Sequence, residues 1–313
     1  MQRYLLPKLL SLIPVLLGIS LIAFTLGVIS PGNPAEITLS QGGYAPTQEQ
    51  IAEMEKQLGL DQPYPIQYLH WLKGVLAGDL GTSYDSRLPV AQELLRRLPV
   101  TLKLAACAIL FACLSGITLG CIAAAFYGKW PDQLIKSYIN IQLSFPAFWL
   151  ALLMILLFAE TLGWLPTSGN GGIRYMIMPA FVLSSASGAT AARLTRSTLL
   201  AEFGKQYCTA AAARGISRWR LVVRNALPNA IVPTVALLGN SLGGMLGGSV
   251  IIESIFALPG IGSYALDAIS NRDYPALQGY VLLAGAVFVF VTLAVDTISM
   301  LLDPKVRLGG SRI

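Results

Sequence analysis

The chain of 313 residues is 54% hydrophobic and 12% charged, with a mean hydropathy of +0.62 and a formal net charge of +6. Soluble domains carry about 25% charged residues, so a water-soluble globular protein is excluded. The basic residues fall in a few segments between long apolar runs, which is the positive-inside pattern of a membrane protein and not a nucleic-acid-binding face.

A helix needs about 20 apolar residues to cross hydrocarbon, and the first run of that length is Leu9 to Ile29. It exceeds a signal-peptide core, and no small-residue cleavage motif follows at Ser30-Pro31-Gly32, so it reads as a retained span. Residues 30–103 are then the one sizeable region expected outside the membrane. Within it, Pro46-Thr47 followed by Gln50 predicts a capping box, with Ile51, Met54 and Leu58 on one helix face and Gly59 closing the turn. A second short helix is expected around Leu69, Leu72 and Leu76, ending at Gly78. With 8 acidic and 5 basic side chains over 30–97, this insertion suits either a solvated cap or a docking surface.

Further spans are expected at Leu104 to Tyr127, Ser137 to Ala159, Tyr175 to Ala192, Asn225 to Ile252 and Tyr274 to Val295, six in all. Ser254 to Leu266 is uncharged but short, and Leu258-Pro259-Gly260 interrupts it, which suits a re-entrant or surface segment. With both termini inside, 14 Lys and Arg fall in the 60 inner residues (1–8, 128–136, 193–224 and 303–313) and 8 in the 110 outer ones. Both termini are therefore expected in the cytoplasm.

The segment 193–224 is the densest in charge, with seven Arg or Lys against Glu202 alone. Thr209-Ala210-Ala211-Ala212-Ala213 favours a helix that Gly215 would end. Charge alone fits an ordinary positive-inside loop. The small side chains fit a short helix that a neighbouring backbone can approach closely. In the fifth span, Gly239, Gly243, Gly244, Gly247 and Gly248 form overlapping GxxxG pairs, and Asn240 and Ser241 bring polar groups to mid-span. Helix packing and a pathway-lining face both fit this pattern.

Catalytic chemistry is missing. His70 is the only histidine and lies in the 30–103 insertion, so neither a Ser–His dyad nor a His-based metal site is expected within the membrane. No pair of aspartates falls within the predicted spans to make an aspartyl dyad. Asp296 stands at the inner end of the last one, just past Val295, and a helix-terminal or interhelical polar contact is its expected role. Gly128-Lys129 and Gly204-Lys205 are followed by Trp and Gln, so there is no phosphate-binding loop of the G-K-[ST] type. Cys107, Cys113, Cys121 and Cys208 show no CxxC spacing and read as small apolar packing residues.

The segment Thr209 to Pro228 resembles the cytoplasmic signature of binding-protein-dependent ABC importer permeases, written EAA, three residues, Gly, nine residues, Ile-x-Leu-Pro. Thr209-Ala210-Ala211, Gly215 and Asn225-Ala226-Leu227-Pro228 keep that spacing, with Thr209 in place of the acid and Asn225 in place of the isoleucine. Gly59-Leu60-Asp61, Gly78-Asp79-Leu80-Gly81, Pro146 to Leu150, Gly163-Trp164-Leu165-Pro166, Ile252 to Gly262, Arg272-Asp273-Tyr274-Pro275 and Asp303-Pro304-Lys305 extend the likeness over nearly the whole chain. Together they resemble the first permease of dipeptide, oligopeptide, glutathione and nickel importers.

The resemblance implies an all-α membrane protein with the six-helix type I permease fold and a small helical periplasmic insertion. The corresponding division is 1–29 (N-terminus and first span), 30–103 (insertion), 104–302 (five-helix core with the coupling loop 193–224) and 303–313 (tail). It also implies a heterodimer with a second, similar permease, two ATPase subunits that use ATP and Mg2+, and a periplasmic or lipid-anchored solute-binding protein, with no cofactor on this chain. Thr209 to Gly215 would be the helix that couples to the ATPase, with Leu227-Pro228 giving a rigid entry to the next span. Arg214, Arg218, Arg220 and Arg224 would face acids on the ATPase or lipid phosphates. The expected solute is a short peptide or a nickel or metal chelate, with the compact 160–174 loop leaning to the latter. A stand-alone secondary transporter or channel is the competing reading, but it leaves the signature spacing unexplained.

Overall fold

The computed structural model describes residues 2–29, 32–40 and 46–302, and within them the regular structure is helical. The helices are α1 (Gln2–Ile29), α2 (Pro34–Ser40), α3 (Gln48–Leu58), α4 (Tyr64–Leu76), α5 (Val90–Ala125), α6 (Trp130–Ser144) and α7 (Ala147–Met154). They continue with α8 (Ile173–Phe203), α9 (Gln206–Ala213), α10 (Arg218–Arg220), α11 (Leu227–Ile255), α12 (Ile261–Ser270) and α13 (Tyr274–Leu302). Asp303-Pro304-Lys305 and the tail 303–313 lie outside the described residues, as does the side chain of Asp296.

Five of the described helical stretches are long and apolar enough to cross a membrane, and the number is six when one bent pair is counted as a single span. The bent pair corrects the expectation of one straight span over Ser137 to Ala159. α6 and α7 meet at 107° across Phe145-Pro146, because proline biases the preceding residue away from the helical region and Phe145 is extended at ψ 130°. α7 then widens into a π-helical turn over Ile155–Thr161, which ends where Gly163 turns at φ +62°.

Contacts divide the chain into two units, Met1–Pro99 with Gly260–Val289 and Val100–Pro259 with Phe290–Ile313. In the first, Val90, Leu94, Ile261, Tyr264 and Ala276 form the core. The family-like tripeptides of this unit are its turn chemistry. Thr47 and Gln50 form the capping box of α3, and Gly59 closes it at φ +68°. Gly78 turns at φ +85°, and the Asp79 carboxylate accepts from the Gly81 amide at 2.9 Å. Arg272 closes α12 at φ +55°. Buried Asp273 then accepts from the Ser83 hydroxyl at 2.5 Å and from the Ala276 amide at 3.2 Å, capping α13.

In the second unit, α8 packs against α5, α6 and α11. Against α5, a Cβ added at Gly116 would lie 2.6 Å from Ala191 Cβ, one at Gly120 2.5 Å from Thr195 Cβ, and one at Gly188 2.6 Å from Ser115 Oγ. Small residues let the two backbones approach closely. Against α6, Arg196 donates Nε and Nη2 to the buried Asp132 carboxylate at 2.7 and 2.9 Å, and the Gly128 amide adds a third bond at 3.0 Å. Towards α11, the buried hydroxyls of Thr195 and Thr234 lie 3.0 Å apart. Nearer the other end of α11, buried Thr101 donates to Glu253 at 2.7 Å.

Candidate functional site

The segment expected as a loop over 193–224 is mostly helical. Residues 193–203 are the last turns of α8, and the short helix starts three residues before Thr209, at Gln206. Glu202, in the last turn of α8, holds its start: it accepts from Lys205 Nζ and from the Tyr207 hydroxyl, while Asn229 Nδ2 donates to Tyr207 Oη at 3.2 Å. Desolvation, then the bond to Glu202, push the Tyr207 phenol up to about 12, so it remains a donor at neutral pH. At the other end, the Ile216 amide donates to Ala211 O at 3.4 Å and the Gly215 amide to Ala212 O at 2.9 Å. This bond pair is a Schellman cap. Gly215 lies beyond the helix at φ +80°, and a Cβ there would meet nothing within 4 Å. The backbone conformation alone calls for glycine.

α9 has two faces. Cys208 and Ala211 are buried among Cys121, Ala124, Leu199 and Val222. Gln206, Thr209, Ala210 and Ala213, at the i, i+3, i+4 and i+7 positions of one stripe, are exposed, as are Ala212 and Arg214. The signature residues therefore split by role: Ala211 fastens the helix to this chain's own core, and the outward surface is Thr209, Ala210 and Ala213. Leu227-Pro228 opens α11, with Pro228 in its first turn, but helical structure already precedes it. The helical stretch runs from Arg218 to Ile255, with a π turn over Leu221–Ala226 in which the Leu227 amide donates to Val222 O, five residues back. Proline 228 has no amide for an α bond, and the wider turn precedes it.

The glycine stripe of α11 also divides. A Cβ at Gly239 would fall 2.3 Å from Val295 Cγ1, and Gly243 is buried, so these two serve packing within the chain. Gly244, Gly247 and Gly248 are exposed, with no neighbour closer than 3.8 Å to an added Cβ. Asn240 is exposed on the same helix, and with Ser241 and Leu237 it lines an open groove of about 540 Å³ against Ala186, Ser187 and Thr190 of α8. The groove is small-walled and uncharged. Among the described residues no group of three or more His, Cys, Asp or Glu side chains is placed to hold a metal.

Sequence reasoning missed Glu202 and Tyr207 as anchors of α9, and it missed the α5–α8 crossing. Gly116 and Gly120 carried the GxxxG signal in plain view. Asp132 and Arg196, 64 residues apart, gave no local signal.

An all-helical, multi-span subunit whose two distinctive surfaces are a small-residue helix between spans and an uncharged groove belongs to the membrane components of transporters. Residues 116–308 match the family model "Binding-protein-dependent transport system inner membrane component", and residues 1–105 match its N-terminal companion. The chain belongs to this family, the inner-membrane permeases of binding-protein-dependent ABC importers. It is 37% identical over 307 residues to the glutathione transport system permease protein GsiC of Salmonella typhimurium, covering 98% of this chain and 99% of that protein. It is 36% identical over 308 residues to GsiC of Escherichia coli K12, with the same coverage. Among solved structures, an inward-facing form of the MetNI methionine ABC transporter aligns with a TM-score of 0.57 at 20% identity, covering 68% of this chain and 97% of that one. That likeness supports the type I permease fold. Permeases of this family carry no ATPase site, and separate subunits hydrolyse ATP.

Proposed function

We propose that this chain forms half of the translocation pathway of an importer for a peptide-like solute, as a heterodimer with a second, similar permease. Both termini lie in the cytoplasm, and α9 with Gly215 seats on one of two ATPase subunits that use ATP and Mg2+. A binding protein delivers the solute from outside, where residues 30–103 lie. The similarity to glutathione permeases supports a peptide-like solute, and the lean to nickel drawn from 160–174 finds no support there.

The observation that carries the coupling assignment is the two-faced build of α9: Cys208 and Ala211 hold it rigidly, while Thr209, Ala210 and Ala213 stay open and small enough for a partner backbone to approach. A rigid short helix transmits displacement, whereas a loop would absorb it. Ala210→Trp tests this, because it adds bulk on the open face alone. The chain should insert and melt like wild type, while co-purification of the ATPase subunits and ATP-dependent uptake of labelled glutathione both fall at least tenfold. Unchanged ATPase association and uptake in this variant would remove α9 as the coupling element. Normal coupling with no glutathione or tripeptide uptake in the wild-type complex would overturn the solute class alone.

A further inference from the structure

A second depression, of about 500 Å³, opens between the C-terminal end of α5 and α10 and is lined by Ile122, Ala125, Phe126, Lys129, Arg218 and Trp219. We propose that it binds an anionic phospholipid, with the phosphate between Lys129 and Arg218 and the first chain carbons against the apolar wall.

Three observations carry the proposal. The cations are uncommitted to acids: among the described residues neither Lys129 nor Arg218 is in an ion pair. The nearby carboxylates are engaged elsewhere, Asp132 by Arg196 and Glu202 by Lys205 and Tyr207. Arg218 instead lies over the Phe203 ring, 5.7 Å from its centroid, a contact that leaves its charge without an acid. The wall itself is hydrocarbon and indole, so a free inorganic anion would leave it wet. A ligand with a negative head and an apolar tail satisfies both parts. Finally, Tyr127, Trp130 and Trp219 stay exposed around the same end of the spans, the level at which amphipathic rings mark the membrane–water boundary.

The experiment uses the full-length chain, purified with whatever partners accompany it, stripped of lipid and offered phosphatidylglycerol or phosphatidylcholine of matched chain length. Native mass spectrometry reads the bound lipid. Phosphatidylglycerol should be retained in clear preference to phosphatidylcholine. One cation near an anionic surface is worth roughly fivefold in affinity, so Lys129→Gln with Arg218→Gln should weaken retention by roughly thirtyfold at low salt. Lys129→Arg with Arg218→Lys should keep it, and Trp219→Ala should weaken it with both charges intact. Excess inorganic phosphate should not displace the lipid. Equal retention of the two lipids, an unaffected charge-neutral double variant, or displacement by inorganic phosphate would each overturn the site.

Discussion

α8 and α11 are both long apolar helices with glycines at four-residue spacing nearby, yet their surfaces have opposite fates. The α8 face meets Gly116 and Gly120 of α5 so closely that an added methyl would overlap Ala191 or Thr195, and its other side is clamped to α6 through Asp132. The outward face of α11, Gly244, Gly247 and Gly248, touches almost nothing of its own chain. One glycine motif closes the protein on itself, and the other leaves a surface for something else. The same division runs through α9, where Ala211 is buried and Ala210, one residue before it, is exposed. Small residues in a membrane protein are therefore read by what an added Cβ would strike, not by their spacing.

The largest effect that tests this contrast is expected on the closed side, at Asp132. Its carboxylate is buried and takes both arms of the Arg196 guanidinium. Asp132→Ala leaves that cation without its acid between α6 and α8. Removing one partner of a fully buried pair costs about 3–5 kcal/mol, and Arg196 is 19% exposed and so keeps some water when its acid is gone. The expected loss is therefore below that range but still well above a surface change, read as a clear fall of Tm in detergent. A loss within the range of an ordinary surface change would mean that α8 is not held by this pair.

Gly120→Ala comes next. The new methyl would stand 2.5 Å from Thr195 Cβ and 2.9 Å from Ala192 O, and a backbone carbonyl cannot rotate away. Overpacking of this kind costs about 1–3 kcal/mol, and the Thr195–Thr234 contact sits beside the clash, so the loss should be visible in the melting of this chain by itself. A variant as stable as wild type would show that α5 and α8 are more loosely joined than the geometry states.

Much of the architecture was legible in the sequence because hydrophobic length and turn residues are local signals. The spans are uncharged runs, and Thr47, Gln50 and Gly59 mark the two ends of α3 within the sequence itself. What escaped was non-local. The bend at Phe145-Pro146 needed the weight given to one proline inside a long apolar run. The Asp132–Arg196 clamp joins residues from separate helices. The burial of Ala211 depends on Cys121, Leu199 and Val222 meeting beneath α9, which no window of sequence contains. For the candidate site, the signature spacing singled out the segment proposed for coupling, but only packing told its anchoring side chains from its open ones.

The smallest change in stability is expected from Gly244→Ala and Gly247→Ala, and these bear most directly on the open side of the contrast. Neither added Cβ has a neighbour within 4 Å, and neither glycine has a positive φ. Nothing in this chain opposes the methyl groups. Alanine also gives up less backbone entropy in a helix, which favours each variant by about 0.5–1 kcal/mol. The melting temperature of the isolated chain should therefore hold or rise. If this face is kept bare for a second permease or for the solute, co-purification of that permease or uptake should fall while Tm does not, the opposite of the Gly120→Ala pattern, in which Tm falls first. A drop in Tm comparable to that of Gly120→Ala would place a partner of this same chain against the face. Stability, assembly and uptake all at wild-type level would make the glycines of α11 incidental and leave the groove beside Asn240 and Ser241 as the surface to pursue.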